Sequence, residues 1–192
     1  MWLFQSLVLF IFIFFSVPLV GRGNVFAPVI YSPDRNSSSS ELSRYFEPRV
    51  LMIPSLNLSL RVIPVGINDQ GSMITPDNFM EVGWLFSSAR VGEAGNLILA
   101  GHYDSPGGLP AAFFHLNTLR VGDEIIVQSI KSYRYLIGSV EEVSELDPQR
   151  YRVLGSSSNA TVTLVTCAGS WSPVSGSYTK RLLIKGVYVG EQ

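Results

Sequence analysis

The chain has 192 residues, 46% hydrophobic and only 15% charged, with 14 Lys and Arg against 15 Asp and Glu. Near-neutral charge argues against a nucleic-acid binder, which carries a basic footprint, and the apolar excess argues against a disordered chain. One Cys and two His exclude an intramolecular disulfide framework and a Cys-cluster zinc site, and leave little for a His-rich metal centre.

The apolar excess is concentrated at the start. From Trp2 to Val20 nearly every residue is Leu, Val, Ile or Phe, and no charge appears before Arg22. A helix needs about 20 apolar residues to cross the hydrocarbon core, so residues 1–21 are expected to form an N-terminal transmembrane anchor. The rivals are a cleaved signal peptide and a buried helix. The stretch is longer than a usual signal core, has no basic residue ahead of it, and is followed by no small-x-small cleavage site. Arg22, read alone by the positive-inside rule, favours the opposite orientation. Residues 22–48 are rich in Pro, Gly and Ser, including the run Ser37–Ser40, and read as a tether. Residues 49–192 are expected to hold the folded domain.

That domain reads as all-β. Strands are expected over Arg49–Ile53, Leu58–Ile63, Asn96–Ala100, Glu124–Gln128, Tyr133–Val143, Ala160–Thr166 and Lys180–Val189, from alternation or short apolar runs bounded by turn residues. Thr75–Asn78 is a turn that can open a short helix over Phe79–Val82. Ala111–Leu119 has helical spacing, and Asp147-Pro148 starts a helical turn. About eight short strands with two or three small helices predict a closed barrel, because closure removes exposed sheet edges.

Three residues stand out. Cys167 ends the strand Thr163-Leu164-Val165-Thr166-Cys167, His102 ends the apolar run that finishes Ala100-Gly101, and Arg181 opens the last strand. Each has a plain structural reading: a buried thiol, a satisfied histidine, a solvated or ion-paired arginine. Against that, a strand end before a flexible loop is where reactive groups are presented.

Together the three segments, in this order, resemble the sortase family. Thr163–Cys167 matches the strand around the family's nucleophile, Asn96–His102 the strand that delivers its His, and Arg181, 14 residues after Cys167, the place of its Arg. The stretches His102-Tyr103-Asp104-Ser105, Pro110–Phe114 and Val82-Gly83-Trp84 look most like class F, with classes D and E as alternatives. The resemblance implies a membrane-anchored cysteine transpeptidase with its barrel outside the cytoplasmic membrane. It would cleave an LPxTG-type sorting motif on surface proteins through a thioacyl enzyme. The acyl group would pass to an amine nucleophile of cell-wall peptide or a pilin lysine. Cys167 would be the nucleophile, His102 the acid and base, and Arg181 the oxyanion or substrate donor. Thr166 would support the substrate through its hydroxyl or backbone, and Asp104 would orient His102. Trp171 and Tyr178 would either wall the substrate groove or pack their loop onto the barrel. His115 reads as capping a core face. No cofactor is expected, and Glu141, Glu142 and Glu145 read as a solvated charged strand end rather than a calcium site. Housekeeping anchoring, pilin polymerisation and a non-catalytic anchored binding module remain the competing functions.

Overall fold

The computed structural model describes residues 45–148, 152 and 154–192. The predicted anchor and most of the linker therefore lie outside the described residues, as does the continuation of the turn expected after Asp147-Pro148. No helix among the described residues is long and apolar enough to cross a membrane.

Short, alternating segments fold as the pattern predicts. The described residues form eight strands: β1 (Val50–Ile53), β2 (Leu58–Val65), β3 (Val82–Leu85), β4 (Gly95–Gly101), β5 (Glu124–Gln128), β6 (Ser132–Ser144), β7 (Ala160–Ser172) and β8 (Ser177–Glu191). They close into a barrel in the order β1-β2-β3-β4-β7-β8-β6-β5, with β1 pairing β5. Two neighbour pairs, β2–β3 and β4–β7, are parallel.

Both expected helices are corrected. Phe79–Val82 is a turn followed by β3: Asn78 accepts from the Met80 N–H through its side chain and from the Glu81 N–H through its carbonyl, and Val82 then pairs with Val62. In Ala111–Leu119 only Leu116–Thr118 forms a turn of 3-10 helix. The N–H groups of Ala111, Ala112 and Phe113 donate instead to the carbonyls of Tyr103, Phe79 and His102, at 3.1, 2.9 and 2.8 Å. Tertiary partners have replaced the helical ladder, while Phe113, Leu116 and Leu119 still bury the face that suggested it.

The barrel interior fixes what lies outside it. Leu97 and Leu99 of β4, Val162 and Leu164 of β7, and Leu182 and Ile184 of β8 are in the core. Successive strand residues point to opposite faces, so Ile98 and Ala100, Val165 and Cys167, and Arg181 belong to the outer face. A one-residue slip of β7 would turn Val162 and Leu164 out and Cys167 in. Each fully buried side chain of this size contributes about 1.5–3 kcal/mol, which sets the register firmly.

Candidate active site

The outer-face residues of β4, β7 and β8 meet at one end of three neighbouring strands. Cys167 on β7 lies directly opposite Arg181 on β8. On the parallel side, Ala100 pairs with Val165. Two residues further along each chain come His102 and Cys167, so the alternation that aims Ala100 and Val165 outward aims His102 and Cys167 the same way. The three predicted residues are thus brought together from segments far apart in sequence.

Each is held by specific contacts. The His102 Nε2 meets the carbonyl of Pro76 at 2.9 Å, and its ring packs on Phe79 with centroids 4.6 Å apart. A carbonyl only accepts, so Nε2 carries the hydrogen and Nδ1 is the nitrogen left to exchange a proton. The Arg181 guanidinium donates to the carbonyls of Tyr178 and Lys180 and to the Ser177 hydroxyl, and pairs with Glu145 at 3.3 Å. It is 24% exposed and reaches the groove beside Cys167.

Burial pushes the Cys167 thiol up from its ordinary pKa. The Arg181 charge pulls it back down, while Asp104 and Glu145 add to the rise. At neutral pH the resting residue is therefore overwhelmingly a thiol, and a proton must leave before it can attack.

Two hollows meet at Cys167 and His102, and both residues line each of them. The first, about 310 Å³, has an apolar floor and walls that include Ile67, Met73, Leu85, Ile98 and Val165, with Arg181 and Glu145 at its edge. The second, about 560 Å³, is walled by Tyr103, Asp104, Trp171 and Tyr178.

The supporting residues fare differently. Asp104 does not reach His102 by a hydrogen bond; it accepts one from the Tyr178 hydroxyl. That bond, ahead of burial, drives the Tyr178 phenol up to about 12. The expected Asp104–His102 contact gives way because the chain leaves β4 at Gly101 and turns, its loop held by the bridge between Asp104 and Pro110. Thr166 is only 3% exposed and donates from Oγ1 to the Gly101 carbonyl at 2.8 Å, so its hydroxyl clamps β7 to β4, and the residue also lines the first hollow. Trp171, 56% exposed, and Tyr178 wall the second hollow and also touch each other, centroids 5.4 Å apart. Their contact depends on an extra residue in β7 between Ala168 and Trp171, which sets Trp171 opposite Tyr178. His115 is exposed, edge-on to Phe114, rather than set against the core. Among the acidic group, Glu142 pairs with Lys180 at 2.9 Å and Glu145 with Arg181.

Sequence reasoning missed the Pro76 carbonyl and Phe79 as holders of His102, Glu145 as the partner of Arg181, and the apolar lining of the first hollow. Only Glu145 had a signal, as a carboxylate near the end of a strand that precedes the Cys and Arg strands.

Known proteins bear on this arrangement. The chain is similar over its barrel to sortase A of Listeria monocytogenes, at 21% identity and a TM-score of 0.58, covering 77% of this chain and 90% of that one. It is similar to sortase C1 of Streptococcus agalactiae at 26% identity and a TM-score of 0.57, covering 75% and 68%. A sortase D5 transpeptidase of Clostridium perfringens matches at 21% identity and a TM-score of 0.58, covering 82% and 89%. No curated protein matches the sequence. Similarity to sortases of different classes at nearly equal scores supports the fold without separating the classes. Residues 51–189 match the family model of the sortase domain, and on that match the chain belongs to the sortase family of cysteine transpeptidases.

Proposed function

We propose that this sortase cleaves an LPxTG-type sorting motif between Thr and Gly and joins the new acyl end to an amine at the cell surface. The observation that carries the reading is the convergence of Cys167, His102 and Arg181 on one outer face, where an apolar groove and a second hollow meet. The groove beside Ile67, Met73, Leu85 and Ile98 suits the Leu-Pro part of a motif bound in extended form.

In this mechanism Cys167 gives its proton to neutral His102 at Nδ1 and attacks the scissile carbonyl. Arg181 offers planar donors to the oxyanion or to the substrate backbone. His102, protonated at Nδ1, gives that proton to the leaving amine; the neutral ring then takes one from the incoming amine. Trp2–Val20 would hold the protein in the membrane with the barrel outside, so that surface proteins and wall peptide are both within reach. We propose class F on His102-Tyr103-Asp104-Ser105 and its neighbouring segments, with classes D and E as the alternatives.

The test is incubation of the full chain with a panel of sorting-motif peptides and an amine, followed by product masses. A ligated product that ends at Thr and disappears in Cys167→Ala is expected. Cleavage that persists at the wild-type rate in Cys167→Ala would overturn the reading.

A further inference from the structure

The two hollows differ in charge as well as shape. The first carries Arg181 at its edge. The second is lined by no Lys or Arg, and its one permanently charged group is the Asp104 carboxylate. Its aromatic walls are braced: Tyr103 and Tyr178 meet at 5.5 Å and 69°, Trp171 and Tyr178 at 5.4 Å and 72°, and Tyr103 is stacked on Phe114 at 4.8 Å. Aromatic faces beside a carboxylate attract a cation, most strongly where water is partly excluded. Asp104 Oδ2 accepts from Tyr178, which fixes the carboxylate within the wall.

We propose that this second hollow is a subsite for a primary alkylammonium, with Asp104 as its charge-selecting residue and Tyr103, Trp171 and Tyr178 as its walls. The inference rests on the transpeptidase reading and deepens it by naming the acceptor's chemistry: a lysine-type ammonium with no carboxylate beside it. An acceptor whose amine carries a neighbouring carboxylate, as in a diamino acid of wall peptide, would set like charges against Asp104. The bound ammonium gives one proton to neutral His102 at Nδ1 and attacks as the amine. The C–N bond forms as the C–S bond of the thioester breaks, the nitrogen's second proton restores the Cys167 thiol, and His102 returns its proton to water.

The test compares two acceptors on the full chain with a fixed motif peptide: Nα-acetyl-lysine amide, and a peptide ending in diaminopimelate. Asp104→Asn keeps an oxygen for the Tyr178 hydroxyl but removes the charge. It should raise the acceptor KM for acetyl-lysine amide about tenfold or more, and lower that for the diaminopimelate peptide. Tyr178→Phe keeps both the ring and the carboxylate, and should preserve the order of preference. Equal effects of Asp104→Asn on both acceptors, or a Tyr178→Phe variant that reproduces its pattern, would overturn the proposal in favour of a merely structural tie. If no peptide is turned over, the transpeptidase reading fails separately, and the subsite is read by titrating acetyl-lysine amide into Cys167→Ala. A saturable shift of the Trp171 indole N–H resonance, lost in Asp104→Asn, supports the site; absence of any shift overturns it.

Discussion

His102 gives up Nε2 to the Pro76 carbonyl, and the chemistry at that residue follows from this one contact. The neutral ring should carry its hydrogen on Nε2. Nitrogen-15 NMR of the labelled imidazole in its neutral form should show a pyrrole-like Nε2 and a pyridine-like Nδ1; the reverse pattern would contradict the assignment. Cys167 carries the second prediction. Its alkylation by iodoacetamide should accelerate with an inflection above the ordinary thiol value of about 8.5, because burial outweighs the pull of Arg181. Arg181→Gln removes the downward influence and should move the inflection further up. Glu145→Gln removes an upward one and should move it down. Opposite ordering of the two variants would contradict the electrostatic account. Arg181→Ala should also slow acylation by at least about 10²-fold if the residue serves the oxyanion. Arg181→Lys should do almost as badly, since Lys lacks the planar fork. The control is Lys180→Ala, which breaks only a surface pair with Glu142 and should be mild. Single-turnover acylation decides among the three.

At the scale of elements, the site depends on how β4 ends. A Cβ on Gly101 would lie 2.8–3.0 Å from the Phe113 ring, which is fully buried beneath the strand end. Gly101→Ala should therefore cost about 1–3 kcal/mol through overpacking. It should also lower activity out of proportion, because His102 is the next residue and its carbonyl holds Phe113. Adding Phe113→Leu should restore part of both, measured by thermal unfolding and by acylation rate; no restoration would show that the clash is not the cause. The alternating strands were legible because apolar alternation is a local signal. β3 was not: Val82–Leu85 has four residues, and what makes it a strand is pairing with β2 on one side and β4 on the other. The false helix over Ala111–Leu119 arose because periodic burial was genuine while its backbone partners lay at Phe79, His102 and Tyr103. The strands on either side of the Cys–Arg loop were also read short, since Ser172 and Ser177 pair across a tight turn that composition presented as a loop.

Across the whole molecule, the closed barrel brings together residues that sequence spacing leaves unrelated. Cys167, His102 and Arg181 were legible through their place at strand ends and through family resemblance. The bond between Tyr178 and Asp104 spans 74 positions and left no local trace, while the pairing of Arg181 with Glu145 crosses from β8 to the segment after β6 and showed in the sequence only as a carboxylate near a strand end. The proposed division between anchor, tether and barrel predicts that a chain lacking residues 1–40 folds and keeps its acylation rate, while the full chain fractionates with membranes and retains Trp2–Val20. A mature N-terminus near Gly21–Asn24, found by protein sequencing, would contradict the anchor. The most direct test of the central claim is the intact mass of the protein after exposure to a sorting-motif peptide without an amine. The account predicts a mass increase equal to the peptide acyl fragment ending at Thr, mapped to Cys167 and released by hydroxylamine. A chain that cleaves the peptide with no adduct on Cys167, and equally well as Cys167→Ala, would contradict it.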